Sequence, residues 1–207
     1  MSDVELFLYL APILIASLVL HELAHAVVAT RLGDPTPQEQ GRLTLNPIVH
    51  LDPLGTAMFV VTYFLSNFVF GWAKPVQVQP QHFRRPKYDM AFVAAAGPAT
   101  NFVIALACVA ALVHMQLGEV TRNVLIRSYE INLVLGLFNL LPVPPLDGSR
   151  IVGAFMSDEV YATWSAADQY GMFIIFGVII FFREQFNELF GSAFEHSTNV
   201  IVTLVGG

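Results

Sequence analysis

The chain has 207 residues, of which 55% are hydrophobic and only 13% charged, with a net charge of −6 and a mean hydropathy of +0.61. A soluble domain carries about 25% charged residues, so the composition excludes an ordinary soluble globule and predicts lipid as the solvent, while the modest acidic balance gives no sign of a nucleic-acid partner. The length suits one domain or a compact bundle, and a single cysteine, Cys108, excludes an intrachain disulfide.

Met1 to Glu5 is acidic where a signal peptide would be basic. The first apolar run, residues 5–30, is therefore expected to stay in the protein as a spanning helix, which needs about 20 apolar residues. A polar stretch follows (31–53). Residues 54–71 are apolar but interrupted by Thr56, Thr62, Ser66 and Asn67, with Pro53 and Gly55 at the start. The stretch 72–89 is basic and proline-bearing, and its "KPVQVQ" (74–79) alternates with period two, as an edge strand would. Residues 90–114 predict a second span, about 128–146 a third, and about 169–183 a short fourth. From Glu184 onward the tail reads as an amphipathic surface helix with a short apolar end. The expectation is an all-α polytopic membrane protein, a bundle of about 4–6 transmembrane helices with short β-like segments near the site. Residues 1–207 are read as one integral-membrane domain, with core motifs in 17–151 and a C-terminal helix and tail over 169–207.

Within "SLVLHELAHAVVAT" (17–30) stand His21, Glu22 and His25. Ionisable groups at membrane depth are costly and mark sites of function. His21 and His25 lie four residues apart, so one helix face presents both imidazoles about 6 Å from each other. That spacing lets two nitrogens grip one zinc ion, with Glu22 beside them to take a proton from water. On a soluble helix the same pattern is often a solvated face, but inside an apolar run no water is at hand.

Catalytic zinc takes three protein ligands and leaves a position for water. The best candidate for the third is Asp147 in "NLLPVPPLDGSRI" (139–151). Pro142, Pro144 and Pro145 must open the preceding helix near Leu140 to Leu146. Irregular backbone at membrane depth is tolerated only where it is buried or lines a wet cavity. The alternative is that Asp147-Gly148 is a plain turn with Asp147 capping the next helix. His50, in "LNPIVHLDPLG", is the competing ligand, whereas His82, His114 and His196 read as solvated residues.

H-E-L-A-H on the first span, "AAAGPATN" (94–101) on a later one and "FNLLPVPPLDG" (138–148) after it together resemble the site-2 protease family of intramembrane zinc metalloproteases. The resemblance covers residues 17 to about 151. It implies one zinc ion per chain held by His21, His25 and Asp147, Glu22 as the catalytic base, and a membrane-spanning protein substrate cut within or near the bilayer. The chain is expected to depart from larger members of that family in lacking room for a PDZ or other regulatory domain.

Topology gives an independent test. His25 is expected near the C-terminal end of its helix and Asp147 near the C-terminal end of its own, so both reach one ion only if those helices run parallel with one span between them. Residues 90–114 supply that span, so 54–71 should be a re-entrant or half-inserted element. On that assumption one side of the membrane receives Arg31, Arg42, Lys74, Arg84, Arg85, Lys87 and Arg150, and the other Arg122, Arg127 and Arg183. That bias puts the first side, and the site, toward the cytoplasm of a multi-pass cell-membrane protein. The small residues Ala94, Ala95, Ala96, Gly97 and Ala99 would let the middle helix approach its neighbours closely. Asn101 and Asn139 are candidates for binding substrate or an oxyanion, or for joining helices. Two rival readings are a metal transporter, which would want polar groups through the full membrane thickness, and an inactive relative that only binds membrane segments, for which an intact Glu22 is unnecessary.

Overall fold

A computed structural model gives the structure of residues 3–65 and 71–206. In chain order the helices are α1 (Asp3–Arg31), α2 (Thr36–Glu39), α3 (Pro53–Leu65), α4 (Pro86–His114), α5 (Glu119–Asn139), α6 (Asp147–Gly153), α7 (Asp158–Ala166), α8 (Gly171–Phe181) and α9 (Arg183–Val205). Among the described residues, α1 and α4 are long and apolar enough to cross a membrane. At 29 residues each they extend about 43 Å, beyond the roughly 30 Å of a hydrocarbon core. Large apolar side chains such as Leu8, Phe92, Val103 and Phe173 are exposed on the outside of the bundle, as a lipid-facing surface requires.

Two expected spans have different bounds. The third is α5, Glu119–Asn139 rather than 128–146, and its N-terminal part carries Glu119, Arg122 and Arg127, with Glu130 just past its middle. It stops where the prolines begin, because Pro142, Pro144 and Pro145 can neither donate nor leave their predecessors helical. The fourth is α8, only 11 residues long and about 16 Å, too short to cross by itself.

α4 forms the centre. His25 and His21 of α1 meet Val93 and Asn101 of α4 in that order, so the two helices are antiparallel. Phe102 lies under Gly136 and Ala105 and Val109 pack on Leu133, so α5 is antiparallel to α4 in turn. α1 and α5 therefore run parallel, both packed on α4.

The C-terminal tail departs from its expectation as a surface element. Phe194, Ile201, Val202 and Val205 of α9 pack with Ala105, Val109 and Leu133. Tyr129 and Thr198 share a short hydrogen bond, and His114 Nε2 donates to the Val205 carbonyl at 2.9 Å. Residues 194, 198, 201 and 205 recur every three or four positions, so they share one helix face. That face completes the core, and His114 is partnered rather than merely solvated.

The segment after α2 rises and comes back. Phe7 of α1 contacts the rings of Phe59, Tyr63 and Phe64, and Tyr63 donates to the Asp3 carbonyl at 3.2 Å, so α3 runs beside the first turns of α1. Leu51 then pairs with Ala73, and Gly71 lies against Gly55 and Phe59, so the chain leaves and returns at one place. Ser66 and Asn67, two of the polar interruptions, lie outside the described residues. Apart from that bridge, continued by the Lys74 amide to the His50 carbonyl at 2.8 Å, no strand occurs among the described residues. Pro75 lies within "KPVQVQ" and Pro80 follows it, and neither can donate to a ladder.

Both flanks of this excursion gather at the C-terminal end of α1. Buried Asp34 accepts from the amides of Thr36 (3.0 Å) and Gln79 (2.7 Å) and from His82 Nδ1 (2.9 Å). Burial alone would push its carboxyl up, but these bonds more than offset that and hold it below the usual carboxylate range. His82 is thus tied to a carboxylate; His196 is exposed, as expected.

Candidate metal centre

His21 and His25 occupy successive turns of the face that α1 turns to α4, and both are buried, 5% and 8% exposed. Their Nε2 atoms approach to 3.0 Å. Asp147 Oδ2 lies 3.3 Å from each. Asp147 is the first residue of α6, reached by the proline segment beyond α5 rather than carried at the end of α5 itself. The N-cap of α6 is Leu146, and Asp147 Oδ2 has no hydrogen-bond partner, so this oxygen is not spent on capping the helix. α6 is braced by Trp164 Nε1 on the Ser149 carbonyl at 3.0 Å and by Arg150 on Ser165 (2.9 Å) and Asp168. Gly148 is required at the corner, because a Cβ there would lie 2.1 Å from the Leu140 carbonyl oxygen.

The chemistry of the three groups follows from their other partners. His25 Nδ1 lies 2.7 Å from the Val93 carbonyl; a carbonyl only accepts, so Nδ1 carries the proton and neutral His25 offers a lone pair at Nε2. His21 Nδ1 is held by Asn101 Oδ1 at 2.6 Å. Asp147 Oδ2 is buried with no hydrogen-bond donor. An anionic oxygen without a donor, converging on imidazole nitrogens already oriented from behind, fits a divalent cation. The three ligand atoms lie within 4.8 Å of one another, and two nitrogens with one carboxylate are a donor set that suits zinc with a position left for water. His50, the rival ligand, is elsewhere: its Nε2 donates to the Thr44 carbonyl at 2.9 Å, and it is not among the clustered groups.

α4 closes the site from one side. A Cβ on Gly97 would meet His25 Nε2 at 2.4 Å and His21 Nε2 at 2.6 Å, so the glycine is what allows this backbone to lie over the imidazoles. Asn101 is fully buried, and both ends of its amide are engaged within the protein: Oδ1 with His21 and Nδ2 with Asn132 at 2.8 Å. It stands behind a histidine rather than facing open space. Asn139 donates to the Leu135 carbonyl of its own helix at 3.0 Å.

Glu22 accepts from the Val76 amide at 2.9 Å, which brings "KPVQVQ" beside the HELAH face. Arg42 secures that segment. Its guanidinium, 3% exposed, donates to the carbonyls of Val49 (2.6 Å), Lys74 (3.2 Å) and Pro75 (3.4 Å). Sequence reasoning counted Arg42 only as a positive charge and passed over Ser17 and Asn132. The signal for the latter two was present: a serine one turn before His21 and an asparagine inside "INLVLGLF" are polar residues in apolar runs, the same anomaly that singled out His21.

Residues 121–182 match the model of Peptidase family M50. YwhC of Bacillus subtilis, provisionally named a zinc metalloprotease, is 42% identical over 180 residues, covering 83% of this chain and 79% of its own. Rip3 of Mycobacterium tuberculosis is 33% identical over 76% of this chain, which spans only 34% of Rip3. Rip2 of Mycolicibacterium smegmatis is 29% identical over 87% of this chain and 70% of its own length. Both are provisionally named zinc metalloproteases. No solved structure matches. The fold and site define a membrane protein with a metalloprotease-type cluster. The chain belongs to peptidase family M50, the site-2 protease family.

Proposed function

We propose that this chain is an intramembrane zinc metalloprotease that hydrolyses peptide bonds within or near the transmembrane segments of other membrane proteins. The observation that carries it is the convergence of His21, His25 and the donorless Asp147 carboxylate, with Glu22 next to the first ligand. These three side chains would hold one zinc ion per chain. Bound there, zinc would supply a Lewis acid that acidifies water and polarises the scissile carbonyl. Glu22 would take the water proton and return it to the leaving amine. Its bond to the Val76 amide orients the carboxylate and ties it to a segment that an unwound substrate could join as an added strand.

In this reading residues 1–207 work as one integral-membrane domain. α1, α4 and α5 cross the bilayer, and the α8–α9 region supplies the remainder of the four to six spans. The meeting of Leu51 with Ala73 supports a re-entrant 54–71, and with it the excess of basic residues on the side of Arg42 and Lys87. The site would then open toward the cytoplasmic face of the cell membrane.

Glu22→Gln tests the assignment. Co-expressed with a panel of single-span proteins, it should lose proteolysis by about 10²–10⁴-fold, the range for removing a general base, while the purified protein keeps its zinc. Unchanged cleavage sinks the protease reading, and loss of zinc makes Glu22 structural.

A further inference from the structure

Asn101 holds His21 Nδ1, but an amide can turn either its oxygen or its nitrogen toward a neighbour. Only the oxygen leaves His21 Nε2 bare for a metal. What fixes the choice lies one residue deeper. Asn132, 1% exposed, donates Nδ2 to the Ser128 carbonyl at 2.8 Å and to Ser17 Oγ at 2.8 Å. The carbonyl can only accept, so the atom facing it is nitrogen. Asn132 Oδ1 must then accept, and it does so from Asn101 Nδ2 at 2.8 Å. That turns Asn101 Oδ1 to His21 Nδ1 at 2.6 Å, which places the imidazole proton on Nδ1. Ser17 agrees with this direction. Its hydroxyl donates to the Ile13 carbonyl at 2.8 Å, so toward Asn132 it is an acceptor.

We infer that Asn132, anchored by the Ser128 carbonyl and Ser17, is a positioning residue that sets the Nδ1–H tautomer of His21 and thereby the affinity of the site for zinc. The inference rests on the zinc reading above. Two backbone carbonyls, on α1 and α5, orient every hydrogen bond of the relay, so the packing of those two helices is linked to the metal site. Ser17, Asn101 and Asn132 are all buried among apolar helices, where a polar group is stable only when fully partnered. The same partners could instead serve only to join helices, and the two roles rank substitutions in opposite order.

Removing a partner behind a metal-binding histidine weakens metal affinity about 10–100-fold. The full chain in detergent, titrated with Zn²⁺ against a chelator of known affinity, gives the dissociation constant for wild type, Asn132→Leu and Asn132→Asp. Leucine cannot accept, so the Asn101 amide is released to turn, and the zinc Kd should rise about 10–100-fold. Aspartate accepts from Asn101 Nδ2 whether or not it is protonated, so its Kd should stay within about threefold of wild type. A helix-joining role predicts the reverse, since a buried carboxylate costs more than an apolar side chain of similar size. The relay is overturned if Asn132→Asp binds zinc as weakly as Asn132→Leu or more so, or if Asn132→Leu binds like wild type. Should the leucine variant fail to fold, the aspartate variant decides alone, a loss of about tenfold or more refuting the relay. A wild-type chain that binds no zinc overturns the protease reading and the relay with it, whereas the mutant outcomes bear on the relay alone.

Discussion

Gly97→Ala places one methyl group where the structure has no room for it. The new carbon would stand 2.4 Å from His25 Nε2, 2.5 Å from His21 Cε1 and 2.6 Å from His21 Nε2. Ordinary contact between such atoms is about 3.5 Å, so both rings, or α4 itself, must retreat by about 1 Å. The rings cannot retreat freely, because Val93 and Asn101 hold them from behind at 2.7 Å and 2.6 Å. Overpacking of this kind costs about 1–3 kcal/mol in stability. Metal binding suffers more, since ligand distances must stay within about 0.2 Å of ideal. Zinc affinity should fall by about two decades or more, close to 3 kcal/mol at 1.4 kcal/mol per decade. The assay is zinc content of the purified protein by mass spectrometry, followed by chelator competition and thermal unfolding. Gly191→Ala is the control: its methyl would meet nothing within 4 Å, and on helix propensity it should be neutral or stabilising by up to about 1 kcal/mol. A Gly97→Ala protein that binds one zinc with wild-type affinity would refute the close approach of α4 to the histidine pair.

Asp147→Asn should weaken zinc binding by about tenfold or more through loss of the only anionic ligand, while His50→Ala should leave zinc content near one per chain; the opposite result moves the ligand to His50. Asp34, held below its ordinary value of 3.8, contributes stability that is present above that value and lost as pH falls through the lower folded one. Asp34→Asn should therefore destabilise by about 1–3 kcal/mol at neutral pH, with the difference shrinking below about pH 4; unfolding followed by tryptophan fluorescence checks this, and a deficit independent of pH would contradict it. Single cysteines at Gln40 and Gln81, in a Cys108→Ala background, should both resist an impermeant thiol reagent until cells are opened. Labelling of one and not the other would mean that 54–71 crosses the membrane.

The parallel course of α1 and α5 could be deduced before any coordinates, because two ligands that each follow the length of a helix cannot share one ion across the thickness of a bilayer. The break after Asn139 was equally legible, since proline acts through its own missing donor and fixed φ. Boundaries were less so. α5 begins at Glu119 because backbone bonding carries a helix past four charged residues that a hydropathy window rejects. The tail is legible as an amphipathic helix but its partner is not: a face of Phe194, Thr198, Ile201 and Val205 looks the same whether it meets lipid, water or another helix, and only its packing on Ala105, Val109 and Leu133 joins it to the core.

His21, Glu22 and His25 declare themselves through local rules: four residues on a helix bring side chains together, and ionisable groups in an apolar run need a reason to be there. Such rules act over one or two turns, and the sequence is enough to apply them. Asp147 is legible to the extent that proline-broken backbone at depth needs a purpose, which favours it over His50 without placing either beside the histidine pair. The orientation of the site belongs to the tertiary structure. Asn101 turns its oxygen to His21 because of Asn132, thirty-one positions away, and Asn132 is held in its orientation by the Ser128 carbonyl of its own helix, with Ser17, at a separation of 115, as its second acceptor. Val76 reaches Glu22 through a segment that leaves and rejoins the bundle and that Arg42 secures. Hydrogen-bond direction is passed between groups that only packing brings within 3 Å, and no periodicity along the chain encodes which of them will meet.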